Sequence, residues 1–216
     1  MRILIFNILI VLFLFSKVTA QNAAFKPIAD ADMPACMEKI RNASASLTSL
    51  QCSFTQNKNI AVLSESVISK GILLYKKGNK LCWEYASPYY YLFALNGDKV
   101  YIKNDNSTRQ FDTKSNALFK EISLLLMNSI SGSELIDKKK FDVAFFESST
   151  RVQVKLTPKN KTMKSVLNTI ILYFEKSTYM VSTIEMIEPA GDTTTIVFNE
   201  IKINPPISNE RFVVTL

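Results

Sequence analysis

From Ser49 to its C-terminal end the chain alternates apolar and polar residues with a period of two, interrupted by one stretch near the middle. A period of two puts every second side chain on the same face of a strand, so such a chain must bury one face of an extended sheet. The alternation is richest between Gly71 and Pro88. There Gly71, Leu73, Tyr75 and Lys77 share one face of a first strand, and Leu81, Trp83 and Tyr85 share one face of a second. Lys77-Gly78-Asn79-Lys80 joins them, with Gly and Asn supplying the positive φ that a tight hairpin requires. One face of the hairpin therefore carries Leu73, Tyr75, Leu81, Trp83 and Tyr85, with the Lys77 cation at its rim. Two readings fit that face: the inside of an ordinary β core, or the wall of an apolar cavity with a polar handle near its mouth.

Ahead of the alternation, Gln21–Ala31 is a lead-in of polar and small residues. Asp32-Met33-Pro34 predicts an N-cap and a first-turn proline, opening a helix that runs to about Ser46, with Met37, Ile40 and Leu47 as its apolar side. In the first strand Leu50, Cys52, Phe54 and Gln56 share a face, and a second piece is expected over Ile60–Leu63. Past the hairpin, Pro88 ends the strand. Tyr89–Leu95 and Lys99–Lys103 form a second hairpin around Asn96-Gly97-Asp98, followed by a short strand over Arg109–Thr113.

The period then breaks. Between Ser115 and Ile130, Leu118, Ile122, Leu125 and Leu126 fall at helical spacing, and Phe119, Leu124, Met127 and Ile130 widen the apolar surface beyond an ordinary stripe. Ser133–Lys140 reads as a shorter, more polar helical piece. In an otherwise β chain this segment is the natural cover or plug for an open sheet. Alternation resumes at Phe141–Glu147 and Arg151–Thr157, followed by a basic loop at Lys159–Lys164. Strands are then predicted over Leu167–Glu175, Tyr179–Glu188, Thr193–Ile203 and Phe212–Leu216. The count is ten or eleven antiparallel strands in one domain, mostly β, with turns spaced as in a barrel or strongly curved sheet.

Other features narrow the function. Met-Arg, an apolar run from Ile3 to Phe15 and small residues at Val18-Thr19-Ala20 match a cleavable export signal, with cleavage expected after Ala20. The run is short of the roughly 20 residues a membrane-spanning helix needs. No cysteine stands at the expected cleavage point, which argues against lipid attachment there. Loss of Arg2 and Lys17 with the signal lowers the formal net charge from +7 to +5. The lysines are scattered and no Arg–aromatic stripe exists, so nucleic acid is not an expected partner. Cys36, Cys52 and Cys82 have no metal-ligand spacing; a Cys52–Cys82 disulfide and buried free thiols both remain open.

There is no histidine, hence neither the usual general base nor the usual metal ligand. The five glycines are isolated, so no phosphate-cradling loop is present. Nothing positive indicates an enzyme, a metal site or a cofactor. What remains is apolar surface beyond the needs of folding: the aromatic hairpin, Tyr89-Tyr90-Tyr91 and the Leu118–Ile130 segment. A curved sheet with a hydrophobic helix against it can enclose an apolar cavity, and burying an acyl chain there gains about 0.8 kcal/mol per CH₂.

At this level the chain resembles the LolA-type periplasmic carriers of outer-membrane lipoproteins. The resemblance rests on Ser53-Phe54-Thr55-Gln56, on Gly71-x-Leu73 leading through a basic pair to Lys80-Leu81-Cys82-Trp83-Glu84-Tyr85-x-x-Pro88, on Asn96-Gly97-Asp98-Lys99-Val100-Tyr101, and on Leu156-Thr157-Pro158-Lys159. It implies an unclosed antiparallel barrel whose helical lid covers a hydrophobic cavity. It also implies a monomeric, cofactor-free carrier that takes lipoprotein acyl chains, or lipid, from an inner-membrane ABC-type release complex to an outer-membrane receptor. By position, Trp83 and Leu81 would fall on cavity-lining and mouth positions and Leu118–Ile130 on the lid helices. With the shared strand faces this makes Phe54, Leu73, Tyr75, Leu81, Trp83 and Tyr85 the expected acyl-chain cavity, and Leu118, Phe119, Ile122, Leu125 and Leu126 the expected lid residues. Lys77 stands where many relatives have a lid-latching arginine, and lysine lacks the planar fork of that residue. An envelope module that senses lipid or lipoprotein on the same fold is the alternative.

Overall fold

The computed structural model describes residues 24–62, 65–112 and 139–214. The expected lid residues Leu118, Phe119, Ile122, Leu125 and Leu126 lie outside them, as does the expected signal segment. The described chain forms one twelve-stranded antiparallel sheet that does not close on itself. Its strands are β1 (Lys26–Pro27), β2 (Ser49–Asn59), β3 (Ser66–Lys76), β4 (Lys80–Ser87), β5 (Tyr91–Asn96), β6 (Lys99–Asn104) and β7 (Thr108–Asp112), then β8 (Phe141–Glu147), β9 (Arg151–Pro158), β10 (Thr169–Glu175), β11 (Val181–Ile187) and β12 (Thr193–Ile203). Two helices accompany them, α1 (Met33–Ala45) and α2 (Lys161–Lys164), and a 3-10 turn spans Asn209–Phe212. Among the described residues no helix is long and apolar enough to cross a membrane.

The order across the sheet is β1-β8-β9-β10-β11-β12-β2-β3-β4-β5-β6-β7. Two runs of neighbouring hairpins thus meet where β12 pairs with β2, which brings the end of the chain beside its beginning. The two edges are β7 and the two-residue β1.

The first hairpin forms as its residues require. Gly78 and Asn79 take φ of 96° and 57°, and the register sets Leu73 opposite Trp83 and Tyr75 opposite Leu81. Gly97 takes φ of 65° in the turn between β5 and β6. Helix α1 lies against the sheet through Ile40, with Leu47 just beyond its end, and both are buried in the main core. Proline stands in its first turn as expected, but the Asp32 side chain makes no capping bond; the Asp32 carbonyl accepts from Cys36 N at 3.1 Å instead.

Several sequence readings need correction. The lead-in contains β1, which pairs with β8 through Lys26 and Pro27; a two-residue strand has no periodicity to detect. Strand β2 runs unbroken to Asn59, and Ile60 does not begin a second piece. Tyr89 and Tyr90 precede β5, and Tyr89 is 80% exposed rather than part of the apolar surplus. The basic loop Lys159–Lys164 contains α2, whose N-terminus is capped by the Asn160 side chain accepting from Met163 N at 2.6 Å. That single turn drives Met163 into the core. Finally, Phe212 lies in a 3-10 turn rather than opening a strand.

Candidate functional site

One face of the sheet gathers nearly all the buried apolar residues. Leu50, Cys52 and Phe54 of β2, Leu73 and Tyr75 of β3, and Leu81 and Trp83 of β4 belong to a single cluster with Val154, Leu172, Ile184, Ile196 and Phe198 of the other strands. Leu73 and Leu81 are wholly inaccessible. The sequence-predicted cavity residues Phe54, Leu73, Tyr75, Leu81 and Trp83 are therefore brought together, with Tyr85 half-buried at the margin of the same cluster.

The aromatic contacts show how strongly the sheet curls. Trp83 on β4 and Phe198 on β12 are three strands apart, about 14 Å in a flat sheet. Their ring centroids nevertheless lie 6.2 Å from each other. Phe54, on the intervening β2, sits 5.3 Å from Trp83 and 5.0 Å from Tyr85. Gly71 makes this packing possible. A Cβ there would strike the Glu84 carbonyl and come within 2.7 Å of Phe54 Cζ, so a side chain at position 71 would expel the ring. The register between β3 and β4 shifts at the same place, between Lys70 and Gly71.

Leu50, Cys52, Leu73, Val181, Phe198 and Ile201 meet around an apolar seam too narrow to hold a water molecule. The inner face is close-packed there, well short of the roughly 300 Å³ at which small-molecule sites begin. Sequence reasoning did not single out Val181, Phe198 or Ile201. Alternation along β12 was a usable signal for Phe198. Ile201 escaped it because the register with β2 shifts between Asn199 and Lys202, around Glu200 with φ of 53°, and this reverses the phase of the strand.

Polar groups line the same face toward the far end of β2. The Tyr85 hydroxyl donates to Gln56 Oε1 at 2.8 Å, and Lys58 Nζ pairs with Glu188 Oε1 at 2.9 Å. Burial pushes the Tyr85 phenol up to about 12, with nearby Tyr91 adding to the rise and the Trp83 indole opposing it. The Trp83 N–H is close enough to influence that oxygen, yet Nε1 makes no hydrogen bond of proper geometry. The inner face is thus apolar along most of its length and polar at one end.

Lys77 is exposed in the turn between β3 and β4, and its amide donates to Thr48 O at 2.8 Å. Cys36, Cys52 and Cys82 are free. Cys52 pairs across the ladder with Leu73, whereas Cys82 pairs with Leu74, one residue further on. The two thiols therefore occupy opposite faces of the sheet, and the suggested Cys52–Cys82 disulfide is ruled out by register.

A search of curated proteins gives no match. Among solved structures, the fold resembles an uncharacterised conserved protein of Thermus thermophilus (TM-score 0.50, 9% identity, 84% of this chain and 92% of that one). It also resembles a LolA superfamily protein of Nitrosomonas europaea (0.44, 8%, 84% and 97%) and the lipoprotein LppX of Mycobacterium tuberculosis (0.44, 12%, 83% and 99%). The sequence profile described as outer membrane lipoprotein carrier protein LolA matches residues 45–215, from the end of α1 to the close of the chain. With an unclosed antiparallel barrel and an aromatic-lined inner face, the chain belongs to the LolA family.

Proposed function

We propose that this protein is an exported carrier that shields the acyl chains of lipoproteins within its barrel while they cross from the inner to the outer membrane. The observation that carries the reading is the curled inner face, where Trp83 and Phe198 meet from strands that a flat sheet would hold apart, with Phe54 beside Trp83. Apolar area on this face stabilises a hydrocarbon chain by about 25 cal/mol per Å² removed from water. The topology supports the placement of a lid. Strand β7 forms one edge of the sheet and β8 lies next to the other edge strand, β1. Leu118, Phe119, Ile122, Leu125 and Leu126 would cover the cavity from the segment between β7 and β8. Lys77, exposed on a turn, would latch it through a single ammonium rather than a guanidinium fork.

In this reading the protein works as a monomer without cofactor or catalytic residue. Its export signal would be removed after Ala20. Cargo would arrive from an ABC-type release complex of the inner membrane and leave to an outer-membrane receptor. The decisive experiment purifies the mature protein from an exporting host and analyses bound species by mass spectrometry, followed by uptake of a fluorescent hydrophobic probe. Acylated protein or lipid should co-purify, and acyl ligands should displace the probe. A protein that carries no lipid and takes up no probe would overturn the reading. Lys77→Ala should speed probe release several-fold; unchanged release removes the latch and leaves the cavity.

A further inference from the structure

The loops at one end of the barrel carry a concentration of exposed apolar side chains. The register pairs Asn59 with Ser66, Lys70 with Ser87, Tyr91 with Asn104, and Ile187 with both Thr169 and Thr193. The β2–β3, β4–β5, β6–β7, β9–β10 and β11–β12 connections therefore leave the sheet along one rim. Among the described residues, five of the eight exposed large apolar or tyrosine side chains stand there: Val62, Val67, Ile68, Tyr89 and Tyr91. Val62 is 88% exposed and Ile68 56%, so they stand clear of the fold rather than closing it. The Asp192 carboxylate accepts from the Ala61 amide at 2.9 Å, which anchors the β2–β3 loop one residue before Val62. Ile68 and Tyr89 each lie two residues beyond the Lys70–Ser87 pair, on neighbouring stretches of chain.

The charge of this rim has a sign as well. Lys70, Lys103, Lys161 and Lys164 form no ion pair with a described residue. Of the acids there, Glu188 is paired with Lys58, Asp142 with Lys159, and Asp192 holds the Ala61 amide. Only Glu65 and Asp105 stand against the four lysines.

Single apolar side chains on separate loops, with lysines between them, do not shape a groove for a partner protein. They suit a soft layer into which each can sink. Aliphatic groups then enter below the headgroups, tyrosine sits among them, and lysine ammonium groups meet anionic phosphates. We propose that this rim docks on an anionic lipid surface. Val62, Ile68 and Tyr89 enter the interface, and Lys70, Lys103, Lys161 and Lys164 lie on the headgroups. The docking uses the outside of the barrel end and needs no bound cargo, so it stands apart from the carrier reading and adds to it the side presented to a membrane.

The test mixes mature protein with vesicles of phosphatidylcholine alone, or of equal parts phosphatidylcholine and phosphatidylglycerol, and floats them on a density gradient. The protein should rise with the mixed vesicles, stay behind with phosphatidylcholine, and be released by salt. Lys161→Gln with Lys164→Gln should weaken binding about tenfold, and Val62→Ser with Tyr89→Ser several-fold. All four side chains are exposed, so the unfolding midpoint of the variants should not move. Their uptake of a hydrophobic probe should also equal that of wild type. Absence of flotation, which would assign the rim to a protein partner, overturns the proposal and leaves the carrier intact. So does equal flotation with both kinds of vesicle, or flotation indifferent to both variants. Flotation that depends on the rim, in a protein that takes up no probe, overturns the carrier and leaves the docking.

Discussion

A thiol two strands from another is easily imagined in a disulfide, but Cys52 and Cys82 are separated by the parity of the ladder. Each is buried in its own apolar surroundings, and burial pushes Cys52 up to about 12 and Cys82 up to about 11; for Cys82 nearby Glu84 adds to the rise and Arg211 opposes it. The consequence for stability has a definite sign. Above an ordinary thiol value of 9.0 the unfolded chain releases protons that the folded chain retains. The unfolded state then binds fewer protons, and stability falls as pH rises, after being fully present below 9. Each thiol contributes a slope of up to about 1.4 kcal/mol per pH unit. Urea titrations at pH 8 and 10.5 should show a lower midpoint at the higher pH, and Cys52→Ala with Cys82→Ala should shrink the difference. Tyr85, also raised, extends the loss above pH 10. An equal drop in the double variant would show that these thiols are not its source.

Elements that the strand pattern does not describe do much of the fastening. After β12, Asn204 takes φ of 56° and turns the chain back against the α1–β2 junction. Its Oδ1 accepts from Thr48 N at 2.7 Å and Thr48 Oγ1 at 3.0 Å, and its Nδ2 donates to Ser46 O at 3.1 Å. The following segment crosses the outer face, where Lys76 Nζ donates to Ile207 O at 2.7 Å and both Lys76 and Lys80 donate to Asn209 Oδ1 at 2.9 Å. Phe212 then plugs a small second core against Leu74 and Cys82 and is wholly buried. This strap backs the hairpin that bears Trp83, holding β3 and β4 from the outer face. Phe212→Ala should cost about 3 kcal/mol in equilibrium unfolding. A loss under 1 kcal/mol would mean that the strap is not part of the cooperative fold.

At the scale of the molecule, residues far apart in the chain share one core. Leu81 on β4 and Val154 on β9 are both wholly buried and belong to the same cluster. The sheet joins its two hairpin runs through the pairing of β12 with β2, over residues that include Phe198 opposite Phe54. A barrel held in this way should unfold in one step. Leu81→Ala and Val154→Ala should each lower the same single transition, by about 2–4 kcal/mol for the leucine and less for the valine. Two transitions, each sensitive to one substitution, would divide the chain into separate domains.

The sequence by itself determined the local physics. Period-two alternation named the strands, Gly78-Asn79 and Asn96-Gly97 placed the tight turns, and parity put Leu73, Tyr75, Leu81, Trp83 and Tyr85 on one face. These follow from steric preferences and side-chain geometry within a few residues. Only the tertiary structure decided which distant strands meet. The neighbourhood of Phe198 and Trp83, the shifted phase that turns Ile201 inward, the opposite faces of Cys52 and Cys82, and the seat of Phe212 behind the sheet all depend on register and curvature. Those are set by summed packing across twelve strands, to which no single stretch of sequence has access.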